Sequence, residues 1–356
     1  MTCTKMRCSE KIDHCTDSLT LSLAEKAAGY TAAGESVIRF GTGEPDFQTP
    51  KYICDGAKAA IDAGYTKYDA VAGVYALRQA ICNKLKKENG LSYTPDEIIV
   101  GSGAKSSLSV TLQALLDPGD EVIMPRPYWV SYTEMVKLAG GRPVIVDTRP
   151  DNHFKMTAAE LQTAVTSNSK VVMLNTPVNP TGQFYTQKEL QALATVIVKE
   201  NLIVISDEIY EAFMYDGNHA VSIAALGDAI KAHTVVVNGF SKTFAMTGWR
   251  LGYAAAPQWI IDGMKKIQAM YDGRRRTMMK RLDAIPELKY LYPAGTFYIF
   301  VDVRDILADP DYGVKSAYDL SMQMLESKKV VTIPGEAFGV EGFLRFAYTV
   351  NEKVIE

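Results

Sequence analysis

Lys242 stands directly after an apolar run, in the stretch Asn238-Gly239-Phe240-Ser241-Lys242-Thr243-Phe244-Ala245-Met246-Thr247-Gly248-Trp249-Arg250-Leu251-Gly252. A lysine crowded by its surroundings holds its proton less tightly, and the neutral amine condenses with carbonyls. Arg250 follows eight residues later (250 − 242). Its planar fork suits a phosphate, and Ser241 can add a hydroxyl. Asp207 closes the run Ile203-Val204-Ile205-Ser206-Asp207, ahead of Glu208-Ile209-Tyr210. A carboxylate at the end of a buried strand needs a cationic partner, because burying it unpaired is costly. Taken singly, Asp207 reads equally well as a helix N-cap. Asn179 lies in Asn175-Thr176-Pro177-Val178-Asn179-Pro180-Thr181-Gly182. Two X-Pro pairs and a glycine fix an irregular, rigid loop that can aim one side chain.

These residues must be held by the elements around them. Short apolar runs recur at Ile98–Val100, Glu121–Met124, Pro143–Val146, Lys170–Leu174, Leu202–Ser206, Thr234–Asn238 and Leu251–Ala255. None alternates cleanly, which suits strands buried on both faces. The segments between them have helical periodicity. In Thr186–Glu200, Leu190, Leu193, Ala194 and Ile197 fall on one face. Strand–helix alternation predicts an α/β domain with a mostly parallel seven-stranded sheet, placed at residues 46–260. Residues 1–45 read as an N-terminal arm with one helix, packing with a smaller α+β domain. Residues 261–356 read as a connecting helix and that smaller domain. It opens on the basic helix Arg274–Leu282 and carries a strand pair, Thr296–Val303 and Lys329–Ile333, with a helix near Ser316–Ser327. In open α/β sheets ligands bind beyond the carboxyl ends of the strands. Asn179, Asp207 and Lys242 all follow such ends.

Composition narrows the class. The chain has 356 residues, 47% hydrophobic and 22% charged, which is ordinary for a globular protein of about two domains. Its net charge is −3, from 38 basic and 41 acidic residues. That balance argues against a nucleic-acid binder. The five cysteines, Cys3, Cys8, Cys15, Cys54 and Cys82, have no CxxC spacing. Neither a disulfide framework nor a metal site is expected, and reduced thiols in a cytoplasmic enzyme are. Met1–Glu10 lacks an apolar stretch, so no signal peptide is expected. No uncharged run reaches the roughly 20 residues a membrane helix needs, so no membrane partner is expected.

The three segments together resemble the class I aminotransferase family of fold type I pyridoxal-phosphate enzymes. Gly239–Gly252 agrees with that family's cofactor-lysine signature at every defined position. The nearest resemblance is to the bacterial-type aspartate-specific members. It is supported by Gly43-Glu44-Pro45-Asp46-Phe47, Gly103-Ala104-Lys105 and Pro125-Arg126-Pro127-Tyr128-Trp129-Val130-Ser131-Tyr132, and it spans about Ser18 to Tyr348. It implies pyridoxal 5'-phosphate as cofactor. Lys242 matches the lysine that binds the cofactor and moves the substrate proton. Asp207 matches the partner of the ring nitrogen, and Asn179 and Tyr210 match the donors to the ring oxygen. Trp129 matches the aromatic stacked on the ring. Gly103, Ala104, Lys105, Ser241 and Arg250 match the phosphate site, with a helix starting near Ser106 and its backbone N–H groups aimed at the anion. Tyr68 matches a tyrosine reaching the neighbouring subunit's phosphate, which implies a homodimer with shared active sites. Arg345, in Leu344-Arg345-Phe346-Ala347, matches the clamp on the substrate α-carboxylate, assisted by Asn179 and Gly43. Lys105 matches the cation that meets a distal carboxylate in the aspartate-type subgroup; steering of the phosphate is its other reading. Ser18 and Thr20 are further candidates at that end of the substrate.

The resemblance implies transfer of an amino group from aspartate to 2-oxoglutarate by a ping-pong mechanism. Alternatives on the same scaffold are an aminotransferase for aromatic amino acids, alanine or prephenate, or a carbon–sulfur lyase. A cofactor-binding regulator or inactive homologue is a third class, disfavoured by the presence of Asp207, Lys242 and Arg250. The sequence departs from the family in two places. Gly239 stands where many relatives carry Ser, which removes one phosphate hydroxyl. Between Met270 and Tyr271 relatives carry a further segment, with a loop reaching the partner's site. The Phe338–Gly342 region is slightly short, and the carboxyl end stops before a full terminal helix. Either the Met270–Tyr271 segment belongs to the full chain and is missing from this sequence, or it is deleted; the former is preferred.

Overall fold

The structure is a computed structural model. It describes residues 29–38, 41, 43–66, 69–290, 298–328, 330–338, 340–347 and 355. Tyr68, Ser18 and Thr20 lie outside the described residues. Two compact units emerge. The larger contains Arg39–Ile267; the smaller contains Gln268–Glu356 with the described part of Leu21–Ile38.

The larger unit is built on seven strands: β1 (Ile98–Gly101), β2 (Glu121–Arg126), β3 (Arg142–Asp147), β4 (Ser169–Asn175), β5 (Ile203–Asp207), β6 (Thr234–Gly239) and β7 (Gly252–Ala255). Their order is β1-β7-β6-β5-β4-β2-β3. The run from β3 to β6 is parallel, and β7 is antiparallel to both β6 and β1. The expected mostly parallel seven-stranded α/β sheet is present. Its helices are α1 (Lys51–Asp62), α2 (Tyr75–Asn89), α3 (Ala104–Leu115), α4 (Ser131–Leu138), α5 (Ala158–Ala164) and α6 (Gln187–Lys199).

Alternation along each strand feeds two cores. Val122, Met124, Val171, Met173 and Ile205 pack with Leu108, Leu112 and Val136. Ile123, Val172, Leu174 and Val204 pack with Leu161, Leu190, Leu193 and Ile197. Successive strand side chains point to opposite faces, and here both faces are apolar. Helix α6 starts where its sequence says it should. Thr186 accepts a hydrogen bond from the Glu189 amide, and Glu189 accepts from the Thr186 amide at 2.8 Å. That reciprocal cap fixes the first turn.

Helix α7 (Gln258–Leu282) runs unbroken through Met270–Tyr271. The connecting helix and the basic helix Arg274–Leu282 of the sequence reading are therefore one helix. In the smaller unit, β8 (Lys289–Tyr290), β9 (Tyr298–Asp302), β10 (Ile333–Pro334) and β11 (Phe343–Ala347) form a sheet ordered β10-β11-β9-β8. The expected strand pair does not pair directly, because β11 lies between β9 and β10. Helix α8 (Ala317–Lys328) contributes Ala317 and Leu320 to a core with Ile299, Val301 and Leu344.

Candidate active site

The strand ends place the site. Asp207 ends β5 and is 3% exposed. Asn175, at the end of β4, is its register partner and donates to the Asp207 carbonyl at 2.9 Å. The same Asn175 accepts from the Asn179 amide at 2.7 Å. The rigid loop is thus pinned to the end of β5, which explains how Asn179 is aimed. Asn179 in turn hydrogen-bonds the Tyr210 hydroxyl. Asp207 is no helix cap, since a turn follows it.

The Asp207 carboxylate accepts from the Tyr132 hydroxyl at 2.7 Å and from the Ile209 amide at 3.3 Å. No described cation pairs with it. Burial pushes its carboxyl from 3.8 up to about 6, against the two hydrogen bonds that pull it down. That rise corresponds to about 3 kcal/mol. A site that pushes a carboxyl up this far, and surrounds it with donors, is built for a cation that is not part of the chain.

A second feature is an anion cradle. Gly103 caps α3 with φ +84°, and the helix begins at Ala104, two residues earlier than expected. Ala104 and Lys105 therefore sit in its first turn. A Cβ on Gly103 would lie 2.7 Å from Arg250 Nη2. A side chain at Gly103 would push the guanidinium away from the helix N-terminus, and the positive φ itself favours glycine. Gly252, on β7, is equally constrained: a Cβ there would meet the Ala104 backbone nitrogen at 2.4 Å. Arg250 has φ +54° and donates to the Thr247 carbonyl at 2.8 Å. Lys105 Nζ lies 4.8 Å from the Trp129 ring centroid. Lost hydration and the Arg250 charge lower its pKa. Trp129 meets Tyr132 edge-on at 5.4 Å.

Lys242 sits in the turn between β6 and β7. Its Nζ donates to the Gly43 carbonyl and lies 5.9 Å from the Tyr210 ring. Lost hydration lowers its pKa, Glu44 opposes that, and Arg250 adds to it. A larger neutral fraction follows, as amine chemistry requires. The 43–49 segment braces this turn. Thr247 donates to Glu44, Thr49 donates to the Ala245 carbonyl at 2.6 Å, and Trp249 donates to Thr49 at 3.1 Å. Ser241 is half-buried in the turn. Gly239 is register-paired with Gly252, and a Cβ there would lie 3.1 Å from both Ile209 and the Leu251 carbonyl. The absent hydroxyl at that position goes with a tight strand contact.

Contacts thus link Gly43, Gly103, Lys105, Trp129, Asn179, Asp207, Tyr210, Lys242 and Arg250 into one constellation. Arg345 belongs to the smaller unit, on β11, register-paired with Phe300 and Ile333. Sequence reasoning missed Tyr132 and Asn175. A signal existed for both: a phenol three residues past Trp129, and an amide ending the strand beside β5.

The chain matches the family described as aminotransferase class I and II over residues 35–272 and 269–356. It belongs to that family. The match is in two pieces meeting where α7 crosses Met270–Tyr271. The chain is 40% identical to an aspartate aminotransferase of Geobacillus stearothermophilus, over 99% of this chain and 96% of that one. It is 37% identical to an aspartate/prephenate aminotransferase of Nitrosomonas europaea, over 97% and 96%. Among solved structures, the Thermus thermophilus aspartate aminotransferase with maleate superposes with a TM-score of 0.72 at 34% identity, covering 98% of this chain and 97% of that one. The larger unit is the fold type I architecture, the enzyme is a transaminase, and its cofactor is pyridoxal 5'-phosphate. The residues present fit that cofactor: a buried carboxylate without a cation suits its ring nitrogen, and the Gly103–Arg250 cradle suits its phosphate.

Proposed function

We propose that this aminotransferase moves an amino group from aspartate to 2-oxoglutarate by a ping-pong mechanism. The observation that carries the reading is Lys105. Its ammonium sits beside Trp129, next to the anion cradle, and no described carboxylate pairs with it. A cation so placed suits a second carboxylate on the substrate. The aspartate aminotransferases among the relatives, one of them solved with the dicarboxylate maleate, support it.

The residue roles follow from chemistry. Asp207 would face the ring nitrogen and keep it protonated, with Tyr132 and the Ile209 amide holding the carboxylate. Asn179 and Tyr210 would hold the ring oxygen. Gly103, Ala104, Lys105, Ser241 and Arg250 would hold the phosphate, and Trp129 would cover the ring face. When bound, the cofactor withdraws electron density from the substrate Cα. Lys242 Nζ holds and moves the proton that leaves that carbon. Gly43, through its carbonyl, would hold the Lys242 ammonium whenever the lysine is free of the cofactor. Arg345 would clamp the α-carboxylate.

The larger unit, residues 46–260, would bind the cofactor, and the arm (1–45) with residues 261–356 would form the smaller domain. We further propose a homodimer with shared active sites, to which Tyr68 would contribute, working in the cytoplasm. Helix α1 buries none of its residues, which supports a partner surface. No described helix is long and apolar enough to cross a membrane, and the two described cysteines are unpaired.

The Nitrosomonas relative's name supports a second reading, with prephenate as acceptor. A panel of single half-reactions decides, read as loss of the cofactor's visible absorbance. Aspartate and glutamate should react fastest, and Lys242→Ala should be inert with every donor. Phenylalanine or alanine matching aspartate would overturn the substrate assignment. Prephenate outpacing 2-oxoglutarate in the return half-reaction would favour the second reading.

A further inference from the structure

A cavity of about 390 Å³ opens in the larger unit, within the size range of small-molecule sites. Asn238, Gly239, Phe240, Thr243 and Phe244 form one side of it, so it shares the turn that carries Lys242. Ile81 and Lys84 of α2 form another, and Glu211 and His219 contribute from the segment after β5.

One wall is aromatic. Phe240 stacks on Phe244 with centroids 6.0 Å apart and meets Tyr253 at 6.1 Å. Tyr253 is 4% exposed and lines the cavity. Its hydroxyl makes no hydrogen bond to any described residue; burial first, and then the carboxylates of Glu211, Glu208 and Glu88, hold its pKa well above the ordinary value. The phenol lines the cavity, where a ligand can supply the hydrogen-bond partner it lacks within the chain.

The other end is polar and carries excess negative charge. Glu211 accepts from Lys84, from Asn89 at 2.7 Å and from Asn238 at 2.7 Å. Lys84 also reaches Glu88 at 3.7 Å. Glu208 lies behind, buried, accepting from Ser206 at 2.8 Å and Ser222 at 2.7 Å. Two carboxylates, Glu211 and Glu88, therefore share the Lys84 ammonium, and Glu208 adds only part of a charge, because burial raises its pKa to about 7. An aromatic wall, an unpartnered hydroxyl oxygen and a negative field together suit a cation, and disfavour an anion.

We propose that this cavity binds a small organic cation, an ammonium or guanidinium on a compact apolar body. Tyr253 accepts from its N–H, the Glu211–Glu88 end supplies the field, and Phe240 and Phe244 cover the apolar part.

The test is calorimetric titration of the holoenzyme at pH 7 with N,N-dimethylbenzylamine. Its tertiary ammonium cannot condense with the cofactor's aldehyde. Benzyl alcohol and benzoate are the neutral and anionic counterparts. The amine should bind, the alcohol at least about tenfold more weakly, and benzoate not at all. Tyr253→Phe should weaken the amine about tenfold, as loss of one hydrogen bond to a charged group does. The same variant should keep or raise the Tm of the free protein, because the hydroxyl it removes has no partner. Ala80→Trp, which sets an indole into the α2 side, should abolish binding. Benzoate binding as tightly as the amine, unchanged affinity in Tyr253→Phe, or no heat with any probe overturns the proposal. If no probe binds and Ala80→Trp alters the sedimentation coefficient, the cavity receives a second copy of the chain instead.

Discussion

Asp207 is costly to the protein that keeps it. Its carboxyl is raised from 3.8 to about 6 by burial. Below pH 3.8 both folded and unfolded chains hold that proton, and nothing is lost. Between pH 3.8 and 6 the unfolded chain releases the proton first, so stability falls as pH rises; above 6 the loss is complete, at about 3 kcal/mol. Asp207→Asn removes this loss. Urea unfolding of the cofactor-free protein should show the variant up to about 3 kcal/mol more stable than wild type at pH 7, and equal to it near pH 3.5. Cofactor affinity, measured by dialysis, should fall at least about tenfold. A variant that is less stable at pH 7 would mean the carboxylate has a structural role in the free protein. Tyr132 belongs to the same device: its hydroxyl is the strongest hydrogen bond keeping Asp207 ionised.

At the scale of elements, the cradle depends on backbone contacts at two glycines. In Gly103→Ala, the new methyl enters the space of the Arg250 guanidinium, at a φ of +84°. The backbone there, with φ +84° and ψ 163°, is one that essentially only glycine adopts, and alone costs an L-residue about 1–3 kcal/mol. The expected outcome is that stability loss together with a drop of more than about tenfold in cofactor affinity. Gly248→Ala, in the turn that leads to Arg250 but with open space around it, should change neither by much. Equal losses in both would deny the cradle its role. The glycine motif and the seven strands were legible in the sequence because buried parallel strands leave unbroken apolar runs, and α6 was legible from its capping pair. Long-range pairing was not. β11 inserts between β9 and β10 although it comes last in the chain, and no local pattern encodes that order. Tyr132 and Asp207 meet across 75 residues of sequence, so the phenol's role appears only once α4 packs beside β5. The connecting helix and the basic helix Arg274–Leu282 read as two because the sequence is divided there, yet the helix is continuous from Gln258 to Leu282.

At the scale of the whole molecule, α1 is a helix of which the described residues bury nothing. Its Ile53, Ala57, Ala60 and Ile61 recur at helical spacing, yet no residue of the helix is buried. Tyr52 is 70% exposed and Ile61 64%. A twelve-residue helix is marginal by itself and takes its stability from packing. The occupant that fits is a second copy of the chain. The face is continuous with the segment whose Gly43, Glu44 and Thr49 hold the Lys242 turn, so covering it would brace the site as well. The double variant Tyr52→Glu with Ile61→Glu should sediment as a monomer where the wild-type holoenzyme sediments as a dimer. Its kcat should fall at least about tenfold, since a site assembled from two chains loses its positioning when they part. Activity should return as protein concentration is raised, because association follows mass action. A double variant that stays dimeric and fully active would place the dimer contact elsewhere on the molecule.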